Sequence, residues 1–217
     1  MILFLIASLP LLFCLVALLP WPPVQSPRVL MLLSTFLKGV LLFFPGYLAI
    51  LIVRRIFGFS YDGFLFYLSV LLRDHLAPGL AAAGAFLLLQ RSMKISGTDE
   101  SIFLTVFSFI AGFLGMVNIA DALRTWGDWD ANSLFLLPVL RIAFALLFAL
   151  AAQRFYRWEG RDGWLFCGAG AALALLLALS SFFFGTSRLA VSILIAVLGV
   201  VIGVGLFAMR FPRAVRD

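Results

Sequence analysis

The stretch that decides the fold is Phe64–Gln90, FLFYLSVLLRDHLAPGLAAAGAFLLLQ, a long apolar run with Arg73, Asp74, His75, Pro78 and Gly79 near its middle. As one helix it would extend about 40 Å, more than a hydrocarbon core of roughly 30 Å requires, so it must tilt or kink. Ala77-Pro78-Gly79 is at the same time a turn signal. Two readings follow: a third membrane span kinked at Pro78, or a re-entrant hairpin, which is tolerated only where its backbone is buried in protein or lines water. The kinked span is preferred, because re-entrant segments are rarer.

The rest of the chain has the same character. Of 217 residues 64% are hydrophobic and 12% charged, with a mean hydropathy of +1.15, whereas soluble domains carry about 25% charged residues. The expectation is an all-α integral membrane protein with a single polytopic domain over residues 1–217 and a bundle of about seven transmembrane helices. No room is left for a soluble catalytic domain. The net charge of +6 would suggest nucleic acid in a soluble protein. Here the basic residues lie between apolar runs, a pattern that sets topology and contacts anionic lipid, so no nucleic-acid partner is expected.

Working outward, Ile2–Leu19 lacks a basic leader and a small-residue cleavage site, and reads as a retained first span that ends at Pro20-Trp21-Pro22-Pro23. Val29–Val53 is the second span, with Lys38 inside, a kink expected at Pro45, and a stop at Arg54-Arg55. Beyond the organising segment come Ile102–Ala120, Leu134–Ala152, Trp164–Phe184 and Leu189–Met209. Thr98 is a candidate N-cap, and the connection Asp121–Ser133 carries Trp126 and Trp129, which read as an aromatic belt.

Lysine and arginine in the connections orient the bundle. With seven spans one side holds Arg28, Arg91, Lys94, Arg154, Arg157, Arg161, Arg210, Arg213 and Arg216, and the other holds Arg54, Arg55, Arg124 and Arg188. The basic side faces the cytoplasm. The C-terminus is therefore expected inside and the Trp-containing loop outside. A bacterial inner membrane fits this compactness and charge bias. The hairpin reading keeps the C-terminus inside and moves only the N-terminus.

Ionisable groups within a membrane span are expensive and mark function by default. Lys38, Arg73, Asp74, His75 and Arg141 form that set and are the candidate substrate-binding residues. Counted inward along their helices they lie about 10 to 15 Å deep, compatible with one polar layer. Asp74 is the only acidic residue expected deep in a span, and three cations compete for it. The excess positive charge suits a phosphate, a carboxylate or an inorganic anion. Pro78 has no N–H for the carbonyl of residue 74, which leaves a free backbone acceptor there.

The Asp74-His75 pair also invites proton-relay or general-base chemistry, although the motif is weak. His75 is the single histidine and Cys14 and Cys167 lie apart in apolar runs, so no metal site, disulfide or cofactor is expected. Gly199 and Gly203 form a small-residue face that permits close approach, within the bundle or to a partner membrane subunit. The leading expectation is binding or transport of an anionic or proton-coupled substrate. The alternatives are a non-catalytic subunit of a membrane complex and an intramembrane lipid-modifying enzyme, and an enzyme is the less expected outcome.

Overall fold

The computed structural model describes residues 9–12, 14–16, 27–58, 63–90, 99–125, 132–157 and 160–210. The Thr98 cap, Trp126, Trp129 and most of the expected first span lie outside these residues. Seven α-helices are described: α1 (Pro27–Ile56), α2 (Gly63–Val70), α3 (Ala77–Leu89), α4 (Asp99–Arg124), α5 (Leu137–Tyr156), α6 (Gly160–Gly185) and α7 (Leu189–Arg210). Two π-helical stretches accompany them, Leu71–Leu76 between α2 and α3 and Asn132–Leu136 leading into α5.

Five segments are long and apolar enough to cross a membrane: Val29–Ile56, Ser101–Arg124, Leu134–Tyr156, Gly160–Gly185 and Leu189–Leu206. The chain is a multi-pass integral membrane protein. Each of the five matches an expected span to within a few residues.

The backbone does not turn at Ala77-Pro78-Gly79. Leu76 (φ −74°, ψ −44°) and Ala77 (φ −60°, ψ −47°) are both helical, and the Ala77 N–H donates to the Leu72 carbonyl, one residue further back than in an α-helix. Pro78 therefore opens α3, where the first N–H groups of a helix need no intrahelical acceptor. The wider π-helical turn accommodates a proline that would otherwise break an i→i−4 ladder.

Beyond Pro78, α3 runs beside α5 in one direction. Gly79 lies against the Phe144 ring, Phe86 meets Phe148 edge-on at 6.1 Å, and the Tyr156 hydroxyl donates to Gln90 Oε1 at 2.9 Å. These side-chain contacts run in the same order along both helices, so the two are parallel.

The centre of the bundle is α4 and not the polar-bearing segment Phe64–Gln90. In its apolar window 89% of the residues are buried, against 17% for α1 and 22% for α7. Phe103, Phe107, Phe109, Ile110 and Phe113 are fully enclosed.

Helices α1 and α4 are parallel and in close contact. Ser108 Oγ donates to the Leu32 carbonyl at 2.7 Å near one end of the pair, and Arg54 meets Asp121 near the other. Between them a Cβ on Gly39 would clash with the Phe109 carbonyl oxygen, and one on Gly112 with that of Phe36. These two glycines let backbone meet backbone. The Gly199 and Gly203 face is likewise used within the bundle, against Leu177 of α6 and Ala143 of α5.

Candidate functional site

Asn118 and Asp121 are three residues apart and so share one face of α4. Asp121 has no exposed surface, and its carboxylate takes two arginines. Arg54 Nη1, from the last turn of α1, lies 2.6 Å from Oδ1, and Arg141 Nη2, from the second turn of α5, lies 2.8 Å from Oδ2. Arg141 Nη1 also donates to Asn118 Oδ1, and Arg54 Nη1 reaches the Tyr47 hydroxyl at 3.4 Å.

The second carboxylate stands beside the first. Asp74 is buried in the π-helical stretch and is gripped by its own neighbour, with Arg73 Nε 3.0 Å from Oδ1 and Arg73 Nη2 2.8 Å from Oδ2. The Asp74 backbone carbonyl accepts from Arg141 Nη2 at 3.3 Å. The acceptor that Pro78 cannot serve is thus used to tie the π-helical stretch to α5. On the other side, His75 Nε2 lies 3.1 Å from Ser181 Oγ of α6.

Of the five expected residues, Arg73, Asp74, His75 and Arg141 come together and Lys38 does not. Lys38 is half-buried on α1, roughly 24 Å along the axis from Arg54 at 1.5 Å per residue. Its expected depth was counted from one membrane face and that of Arg141 from the other. Similar depths therefore belong to different levels. The expected contest for Asp74 also resolves differently, since Arg141 takes its backbone oxygen and leaves its carboxylate to Arg73.

Arg54, Asn118 and Asp121 were missed. Arg54 and Asp121 read as connection residues because each follows the apolar run at a helix end. The signal for Asp121 was its i, i+3 spacing from Asn118 on a helix that continues to Arg124.

Three guanidinium groups face two carboxylates here, which leaves one positive charge uncancelled. Arg54 Nε, Arg54 Nη2 and Arg141 Nε are buried with no hydrogen-bond acceptor, and the short Arg54–Asp121 contact leaves Oδ1 without an aligned donor. Unmet buried donors cost roughly 1 to 3 kcal/mol each, more when charged, so such positions are expected to find water or a ligand.

Two cavities adjoin the cluster. A small one of about 20 Å³, room for one water, is bounded by His75, Pro78, Gly79, Leu140 and Arg141. A larger groove of about 300 Å³ lies between α3, α5 and α6 and is walled by Leu80, Ala83, Leu147, Phe148, Phe166 and Cys167. Gly79, Phe144, Gly170 and Ala174 border both.

No family model, curated protein or solved structure matches this chain. Its function is read from the geometry alone.

Proposed function

We propose that this protein binds an anionic substrate within the membrane, at the Arg73, Asp74, His75 and Arg141 end of the buried cluster. The observation that carries the reading is the unmet Arg141 Nε donor beside a cavity, in a cluster with one positive charge in excess. A guanidinium fork matches a carboxylate or phosphate, and in a low-dielectric setting that match is strong. Gly63–Gln90 crosses the bilayer as a further kinked span, which its register with α5 supports. The C-terminus lies in the cytoplasm and the cluster opens toward the outer half of the membrane. Burial of Arg54 in an ion pair supports that orientation, because it removes one free charge from the less basic side.

The test is equilibrium binding of radiolabelled phosphate and of a small carboxylate to the purified protein in nanodiscs, with flux into liposomes measured in parallel. Saturable binding that drops at least tenfold in Arg73→Gln supports the reading. Arg73 is the informative position because its side chain is one-quarter exposed and it stands outside the Arg54–Asp121–Arg141 pairs. Flux separates a transporter from a binding protein. A folded parent that binds neither anion refutes the proposal.

Lipid-modifying chemistry is a second reading, favoured by the contact between His75 Nε2 and Ser181 Oγ, since a serine next to a histidine is an activated-nucleophile arrangement. The uncancelled positive charge of the cluster places the anion-binding reading first. Labelling of Ser181 by a fluorophosphonate would reverse that order.

A further inference from the structure

The apolar groove beside the cluster has chemistry that a soluble anion does not use. Its walls come from α3, α5 and α6 and are aliphatic or aromatic apart from Cys167. It shares Gly79, Phe144, Gly170 and Ala174 with the small cavity at His75 and Arg141. Arg141 is nearly fully buried, and its Nε–H has no acceptor. An apolar groove and a water-sized cavity beside a buried cation thus lie on either side of the same four residues.

We infer that the substrate is a membrane lipid with an oxyanion headgroup, one hydrocarbon chain lying in this groove and one headgroup oxygen taking the water-sized cavity beside Arg141. This rests on the anion-binding reading above and adds where the ligand comes from. Lipid tails are as apolar as the groove, so moving a chain from bilayer to groove gains little, and the groove positions the ligand without selecting it. Selection must come from the charged end. There one uncancelled positive charge complements a phosphate or carboxylate, and a zwitterionic headgroup gives no net match.

Gly170 gives a way to close the groove without touching the charges. A Cβ there meets nothing within 4 Å, and the residue borders both cavities, so Gly170→Leu places a side chain into the space that the lipid chain would fill. Gly84 is also open but borders neither cavity, so Gly84→Leu is the matched control on α3.

The experiment uses the full chain in nanodiscs of neutral lipid, doped with lipids that share one diazirine-bearing chain and differ only in headgroup: phosphate monoester, free carboxylate or phosphocholine. Crosslinks are mapped by mass spectrometry. The expected result is at least tenfold more crosslinking at groove residues for the anionic lipids than for phosphocholine. Gly170→Leu should abolish it, Gly84→Leu should retain it, and Arg73→Gln should reduce the headgroup preference. Equal crosslinking by all three headgroups means unselective bilayer lipid and overturns the inference. So does an anion preference unchanged by Gly170→Leu. Inorganic phosphate that binds the parent and Gly170→Leu equally, with no selective lipid crosslink, would leave the anion site standing and remove the lipid. Absence of both would remove the two together.

Discussion

Asp121 holds two buried guanidinium groups and Asp74 holds one that is partly exposed, so the two carboxylates differ in what their loss leaves behind. Asp121→Asn strands both Arg54 and Arg141 against a neutral amide, a loss of about 3 to 5 kcal/mol for breaking a buried pair. Asp74→Asn leaves a single guanidinium, Arg73, whose side chain is one-quarter exposed, so its cost should be the smaller of the two. Thermal unfolding in detergent should therefore show a much larger drop for Asp121→Asn. Adding Arg54→Gln to it should recover part of the loss, because one stranded charge goes with the partner. Equal drops for the two asparagine variants would show that Asp121 does not anchor the cluster.

Between residues 63 and 90, the identity of the polar side chains was legible and their partners were not. Arg73, Asp74 and His75 stand out in any apolar run. The π-helical stretch, which decides where they point, depends on a one-residue change in backbone pairing that leaves no mark on hydrophobic periodicity. Pro78 was the legible clue, and the expectation of a free Asp74 carbonyl is met by Arg141. Pro78→Ala supplies an N–H that competes for that carbonyl and favours a regular α-helix. It should preserve or raise thermal stability while weakening anion binding several-fold. Unchanged binding would separate the π-helical stretch from the site.

The α1–α4 contact makes a second, independent claim. Gly39→Ala and Gly112→Ala each force a methyl into a facing backbone oxygen, so the helices must separate. Each should cost at least the 2 kcal/mol typical of overpacking, although alanine is the better helix former by about 0.8 to 1 kcal/mol. Gly84→Ala meets open space and should be neutral or stabilising. Thermal unfolding of the three variants checks the contrast, and similar shifts would mean that α1 and α4 are not in backbone contact.

For the whole molecule, charge asymmetry gives a topology that cysteine labelling can test. In a background lacking Cys14 and Cys167, Thr125→Cys at the end of α4 should react with an impermeant maleimide in intact cells, and a cysteine at Asp217 should be protected. The reverse pattern would invert the bundle. The positions of the five long apolar spans were legible because they follow from composition over some 20 residues. Which helix lies at the centre was not, since α1, α4 and α7 are comparably apolar. The choice rests on glycine placement and on a charge cluster contributed by helices far apart in the chain.

That separation sets an order of events during synthesis. Arg54 leaves the ribosome roughly 70 residues ahead of Asp121, so at 5 to 20 residues per second it waits about 3 to 14 s for its counter-ion. During that interval α1 is already long enough to enter the bilayer with an unpaired cation near its end. A guanidinium at a helix terminus can rest among headgroups and be drawn inward later, a course closed to a charge at mid-helix. The position of Arg54 in the last turn of α1 is thus what allows the first half of the cluster to be inserted before the second half exists.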